Sequence, residues 1–182
     1  MGPGSRFALL FLALMLYSMG GDGHPGISRK KYCQSVRMSV YLLNHRFSTA
    51  VHHYQNAIEV LSIAKKKCAE IISENGKPKE VLQENIRRSN FLENHHTAVT
   101  EIERQIMTEE KKLQSILETI GRTCNAWVQT MPLTPSLRKD IRQQLAEAEI
   151  ITKDVEKLGQ TSTKHASTTT NWTAPESNLM SS

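Results

Sequence analysis

The sequence predicts an all-α fold, a long antiparallel helical hairpin followed by a shorter third helix. Proline and glycine are absent between Ser28 and Asn75, which permits a helix far longer than usual. Apolar residues recur every seven positions along the chain, which is the spacing of a coiled-coil seam. No segment alternates with the two-residue period of a strand. We therefore expect a coiled-coil-like bundle without a sheet.

The N-terminal segment has the pattern of a secretory signal peptide. Arg6 precedes an apolar run, Phe7 to Met19, and small residues follow it. The run is too short for a membrane span, which needs about 20 apolar residues. We expect residues 1–20 to be a signal peptide, cleaved between about residues 18 and 23. The protein is accordingly expected to be secreted and extracellular.

Residues 28–159 form the predicted helical bundle, and its first helix has the clearest pattern. Two sets of residues recur at seven-residue spacing over more than five heptads. The first set is Cys33, Val40, Phe47, Tyr54, Leu61 and Cys68, and the second is Val36, Leu43, Ala50, Ala57, Ala64 and Ile71. Apolar residues also flank this seam, so we expect the first helix to contact more than one neighbour.

The second helix is predicted over residues 79–131, after a turn at residues 75–78 that contains Gly76. It repeats the seven-residue spacing at Leu92, Val99, Ile106, Leu113, Ile120 and Trp127. Two alternatives stay open. A break near residues 89–97, with Thr100 and Glu103 as the capping box of a new helix, or an end at Gly121 would each produce a four-helix arrangement.

The third helix is predicted to begin at Pro135 and to end near Leu158, with Gly159 as the stop. Residues 160–182 are expected to be a disordered tail, because half of the residues from Thr161 onward are Ser or Thr. The tail carries an N-glycosylation sequon at Asn171, so a glycoprotein is expected. O-glycosylation is left open.

Three cysteines constrain the arrangement of the hairpin. Cys33 and Cys68 lie on the same predicted helix, separated by roughly 52 Å, and cannot bond to each other. Folding the hairpin about the turn near Gly76 places Cys33 opposite Cys124. We predict a Cys33–Cys124 disulfide, with Cys68 left as a free or intermolecular thiol.

The sequence contains no catalytic, phosphate-binding or zinc-binding motif, so we expect neither an enzyme nor a cofactor or metal site. His95 is the histidine at a seam position, where it is expected to make stability depend on pH. Basic residues near the turn give weak support for a glycosaminoglycan contact. A nucleic-acid partner and a membrane span are not expected.

The short third helix is expected to leave one half of the hairpin uncovered. The interface predicted there comprises Val51, Ile58, Val60, Ile63, Val99 and Ile102. We therefore predict a secreted, non-enzymatic helical glycoprotein that acts through protein–protein interaction or self-association, for example as a homodimer; its receptor is unknown. The alternatives are a short-chain helical cytokine-like ligand and a lipid-carrying amphipathic bundle.

Overall fold

The computed structural model describes residues 29–130 and 134–169 and confirms the predicted all-α bundle. Its helices are α1 (Arg29–Ser73), α2 (Lys79–Thr130) and α3 (Pro135–Ser167), and no described residue belongs to a strand. None of these helices contains an apolar stretch of the length and hydropathy that a bilayer span requires. The predicted signal peptide and the glycosylation site Asn171 lie outside the described residues and stay predictions.

α1 and α2 are joined by the predicted turn. Gly76 has a φ of 85°, a left-handed conformation that glycine adopts without a steric penalty. After α1, the Glu74 N–H donates to the Glu70 carbonyl at 3.2 Å, and at the start of α2 the Leu82 N–H donates to the Pro78 carbonyl at 3.2 Å. Pro78 fits just before α2 because its fixed φ suits a helix start and its missing N–H is not needed there.

α2 is one continuous helix, which excludes both alternative breaks. The Thr100 hydroxyl donates to the His96 carbonyl at 2.9 Å within the helix, so it does not cap a new helix. Gly121 also lies inside α2. Buried residues next to both positions, including Val99 and Ile120, stabilise the helix through tertiary packing, which outweighs the local preference of a single residue.

The chain divides into two compact units, and each contains a section of all three helices. Unit 1 contains the chain up to His45 and residues Leu113–Ile150, while unit 2 contains Arg46–Lys112 and the chain from Ile151. The core of unit 1 contains Tyr32, Cys33, Val36, Leu43, Leu113, Leu117, Ile120, Cys124, Ile141, Leu145 and Ala148. The core of unit 2 contains Phe47, Ala50, Tyr54, Ala57, Leu61, Ala64, Cys68, Leu92, Val99, Ile102, Ile106, Ile151, Val155 and Ala166. The predicted seam of α1 is therefore buried along most of its length.

The predicted end of α3 is wrong, because the helix continues past Gly159 to Ser167. Gly159 is buried, and a β-carbon placed on it would lie 2.8 Å from the backbone oxygen of Ala50. The glycine thus permits close packing of α3 against α1 and does not stop the helix. The expectation that one half of the hairpin lacks a third helical layer is also wrong, since α3 packs in unit 2 from Ile151 onward.

The first residues of the predicted tail are helical because their hydroxyl groups bond within the helix. The hydroxyl of Ser162 donates to the Leu158 carbonyl at 3.0 Å, and that of Thr163 donates to the Gly159 carbonyl at 3.1 Å. Such bonds satisfy the hydroxyl groups of these side chains without breaking the backbone hydrogen bonds of the helix. Ser162 is fully buried, so this segment belongs to the packed core of unit 2 and not to a disordered tail.

Two polar contacts fix the register of the helices in unit 2. The Arg46 guanidinium donates from Nε and Nη2 to the two Glu156 oxygens, at 2.8 Å each, and so links α1 to α3. The Tyr54 hydroxyl donates to Glu103 and so links α1 to α2. Burial, followed by the hydrogen bond to Glu103, raises the pKa of Tyr54 to about 12, so the phenol remains a proton donor.

Replacing Gly159 by alanine is expected to destabilise the protein. The new β-carbon would meet backbone atoms of Ala50, which move only if α1 and α3 separate. We expect the free energy of unfolding to fall by about 1–3 kcal/mol in urea denaturation.

The matched control is Gly121→Ala, because open space surrounds the β-carbon position at Gly121. This change should raise the free energy of unfolding by about 0.5–1 kcal/mol, the difference in helix propensity. Equal stability of the two variants would contradict the proposed packing role of Gly159.

Candidate functional site

The structure brings together Cys33 and Cys124 in unit 1, the two cysteines predicted to pair, but it contains no disulfide. Both side chains are buried, and the Cys33 thiol contacts the Cys124 carbonyl oxygen at 3.7 Å. All three cysteines of the chain are free thiols, so the predicted bond is not formed in the structure. Burial, followed by the contact with Cys33, raises the pKa of Cys124 to about 12, which keeps this thiol protonated and weakly nucleophilic.

The third cysteine, Cys68, is a buried thiol in unit 2 and only 8% exposed. Burial raises its pKa, and the positive charge of Arg88 opposes that shift. A disulfide to a second molecule would require this side chain to leave the core. Cys68 is therefore better suited to a packing role than to an intermolecular bond.

The structure separates the six residues of the predicted interface into two groups. Val99 and Ile102 are buried in the core of unit 2, so the prediction that they lie on the surface is wrong. Val99 is buried as a member of the seven-residue seam of α2, and Ile102, three residues further along, lies on the same face of the helix. The four residues on α1 differ from them. Val51 and Ile58 are half-buried, and Val60 and Ile63 are 41% and 49% exposed.

Val60 and Ile63 form the exposed remainder of the predicted interface, and we refer to them as the α1 apolar pair. Their three-residue spacing places them on the same face of α1. Val60 also lines a cleft of about 270 Å³ between α1 and α3. The α3 side of the cleft contains Thr163 and Ala166, and the α1 side contains His53. The surface is therefore an apolar ridge beside a shallow cleft with a polar rim.

A second group of functional side chains in unit 2 is a pair of histidines. His95 of α2 and His165 of α3 approach with their Nδ1 atoms 2.7 Å apart. Phe91 packs against the His95 ring with a centroid distance of 4.3 Å. Burial, followed by the charge of His165, lowers the pKa of His95, because a proton on one ring opposes a proton on the other. The neutral pair can share one proton as an N–H···N hydrogen bond.

His165 lies beyond the predicted end of α3, so sequence reasoning did not identify it as a partner of His95. The continued seven-residue spacing would have revealed that α3 extends past Gly159 and so includes His165. Ile141, Ala148 and Val155 are followed at the same interval by Ser162 and Thr169, and all five are buried. Small and hydroxyl-bearing residues at these positions conceal a pattern that large apolar residues would display.

Comparisons with known proteins identify no relative of this chain. The sequence matches no protein-family model, and no curated protein and no solved structure matches it significantly.

The histidine pair predicts that stability decreases as the pH falls. The pKa of His95 is lowered in the folded protein, so the unfolded chain binds more protons at mildly acidic pH. The stabilisation is full above about pH 6.5, the ordinary pKa of histidine, and is lost as the pH falls towards the pKa of the folded state. We expect the urea midpoint to decrease between pH 7.5 and pH 5.5.

In this experiment, His95→Gln should reduce the pH dependence, because one titrating ring is removed from the pair. The control His52→Gln changes an exposed histidine on α1 and should leave the pH dependence unaltered. If His95→Gln retains the pH dependence of the parent protein, the pair is not its source.

Proposed function

We propose that this protein is a secreted, non-enzymatic helical glycoprotein that binds another protein, or a second copy of itself, through the α1 apolar pair. The observation that carries this proposal is the exposure of Val60 and Ile63 on one face of α1, beside a cleft. Grouped apolar side chains at the surface are typical of interaction sites. The signal peptide and the sequon at Asn171, both predicted from the sequence, support export and glycosylation.

The two alternative functions receive less support. A short-chain cytokine-like fold requires a break in the second helix, whereas α2 is continuous from Lys79 to Thr130. Lipid-carrying bundles have frequent helix breaks and broad apolar faces. α1 and α2 are long uninterrupted helices, and their seam residues are buried within the protein. We therefore favour a protein partner.

A glycosaminoglycan contact near the turn is also less favoured. Lys65 forms an ion pair with Glu93, and Lys77 lies 2.9 Å from a Glu74 oxygen. Arg88 forms a further pair with Glu84. Carboxylates beside these cations reduce the positive field that a polyanion would meet.

The secreted protein is proposed to contain the Cys33–Cys124 disulfide. Both cysteines are buried in unit 1 and contact each other through the Cys33 thiol. In an oxidising compartment, a disulfide oxidant would accept two electrons and two protons from these thiols, and the two sulfur atoms, which are not at bonding distance in the structure, would have to approach each other. In the chain-entropy model, a bridge across 91 positions stabilises the fold by about 4.6 kcal/mol.

The binding surface is tested with the double variant Val60→Lys and Ile63→Glu. Both side chains are exposed, so the variant should be secreted and folded. Charged side chains at the centre of an interface would remove its apolar contacts. We therefore expect self-association or cell-surface binding to weaken by about tenfold or more. Light scattering measures the mass, and titration on cells measures the binding.

The control double variant is Ile86→Glu with Met107→Lys, which changes two exposed apolar residues of α2 in the same unit. It should bind as the parent protein does. Unchanged mass and unchanged cell-surface binding of the Val60 and Ile63 variant would exclude the α1 apolar pair.

The disulfide is tested by peptide mapping of the secreted protein without reduction. A linked peptide containing Cys33 and Cys124 is expected, with Cys68 recovered as a free thiol. Cys68→Ser should migrate as the parent does on non-reducing gels, because Cys68 is buried. A peptide that links Cys68 to Cys33 or to Cys124 would contradict the pairing.

A further inference from the structure

The contact between His95 and His165 has the composition of a small metal site. The two Nδ1 atoms are 2.7 Å apart and belong to different helices, α2 and α3. Two imidazole nitrogens that bind one zinc ion tetrahedrally at about 2.0–2.1 Å lie about 3.3 Å from each other. The rings would therefore separate by about 0.6 Å and turn so that both Nδ1 lone pairs point at the ion.

We propose that His95 and His165 bind one divalent transition-metal ion of the Zn²⁺, Ni²⁺ or Cu²⁺ class through their Nδ1 atoms. Imidazole is a preferred ligand of all three ions. Both rings are half-buried, so the site is reachable from solvent. Within the described residues, no group of three or more His, Cys, Asp or Glu side chains could hold a metal ion. The proposed site thus has two protein ligands and leaves its remaining coordination positions to water.

The surroundings of the pair prepare it for this role. Metal binding requires nitrogens without a proton, and at 2.7 Å only one proton fits between the two Nδ1 atoms, so an ion has a single proton to displace. Phe91 packs against the His95 ring with a centroid distance of 4.3 Å and gives this ring an apolar neighbour. The ion would link α2 to α3, and it would therefore stabilise the folded protein.

The proposal is tested by adding ZnCl₂, NiCl₂ or CuCl₂ separately to the chelator-treated full-length secreted protein at pH 7.4. We expect Tm to increase with metal concentration for at least one ion, and calorimetry to give one ion per chain. Both effects should disappear at pH 5, where protons compete for the nitrogens.

His165→Gln should lower the metal affinity by at least about tenfold, because it removes one of the two ligands. The matched control His52→Gln removes an exposed histidine of the same unit and should bind metal as the parent does. The proposal is overturned if no ion raises Tm, or if both variants lose affinity equally.

A further measurement keeps the test decisive if His165→Gln does not fold. In the parent protein, one equivalent of Ni²⁺ or Cu²⁺ should broaden the NMR signals of the His95 and His165 imidazoles before those of the other five histidines. Broadening that begins at His52, His53 or His96 would overturn the proposal.

Discussion

The close approach of α1 and α3 at Ala50 and Gly159 is the constraint on which unit 2 depends. A β-carbon at position 159 would lie 2.8 Å from the Ala50 oxygen, so this approach requires glycine. Because α3 continues past this point, Ser162 and Ala166 enter the core. The same continuation places His165 against His95. The cleft beside Val60 also exists only because α3 supplies its second wall.

Polar contacts define the register of unit 2 more than they stabilise it. The pair Arg46–Glu156 joins α1 to α3 through two hydrogen bonds, and its side chains are 19% and 33% exposed. At this degree of burial, the cost of removing water offsets much of the attraction. The pair fixes the alignment of α1 and α3, since a shift of one residue in α3 would remove both bonds. Leu61 and Val155, which are fully buried, belong to the apolar core that supplies most of the stability.

Several predictions from the sequence are confirmed because they depend on local rules. Seven-residue spacing and the absence of helix breakers determine α1, and residues 75–78 form the turn that the motif with Gly76 predicts. The hairpin register follows from the position of that turn, so the approach of Cys33 to Cys124 was also predictable. The exposure of Val60 and Ile63 was predictable as well, because these residues lie outside the seam, whereas their role as an interface stays a prediction.

The amino-acid sequence thus determined the helices, the turn and the antiparallel pairing, since each follows from residue spacing over short stretches. Only the tertiary structure decided where α3 ends. A glycine such as Gly159 can either stop a helix or permit close packing, and its identity alone does not distinguish the two roles. The residue that distinguishes them is Ala50, which lies far away in the chain. The continuation of α3 past this contact also decided that Ser162 is buried and that His165 meets His95, because burial depends on what packs against a residue and not on the residue alone.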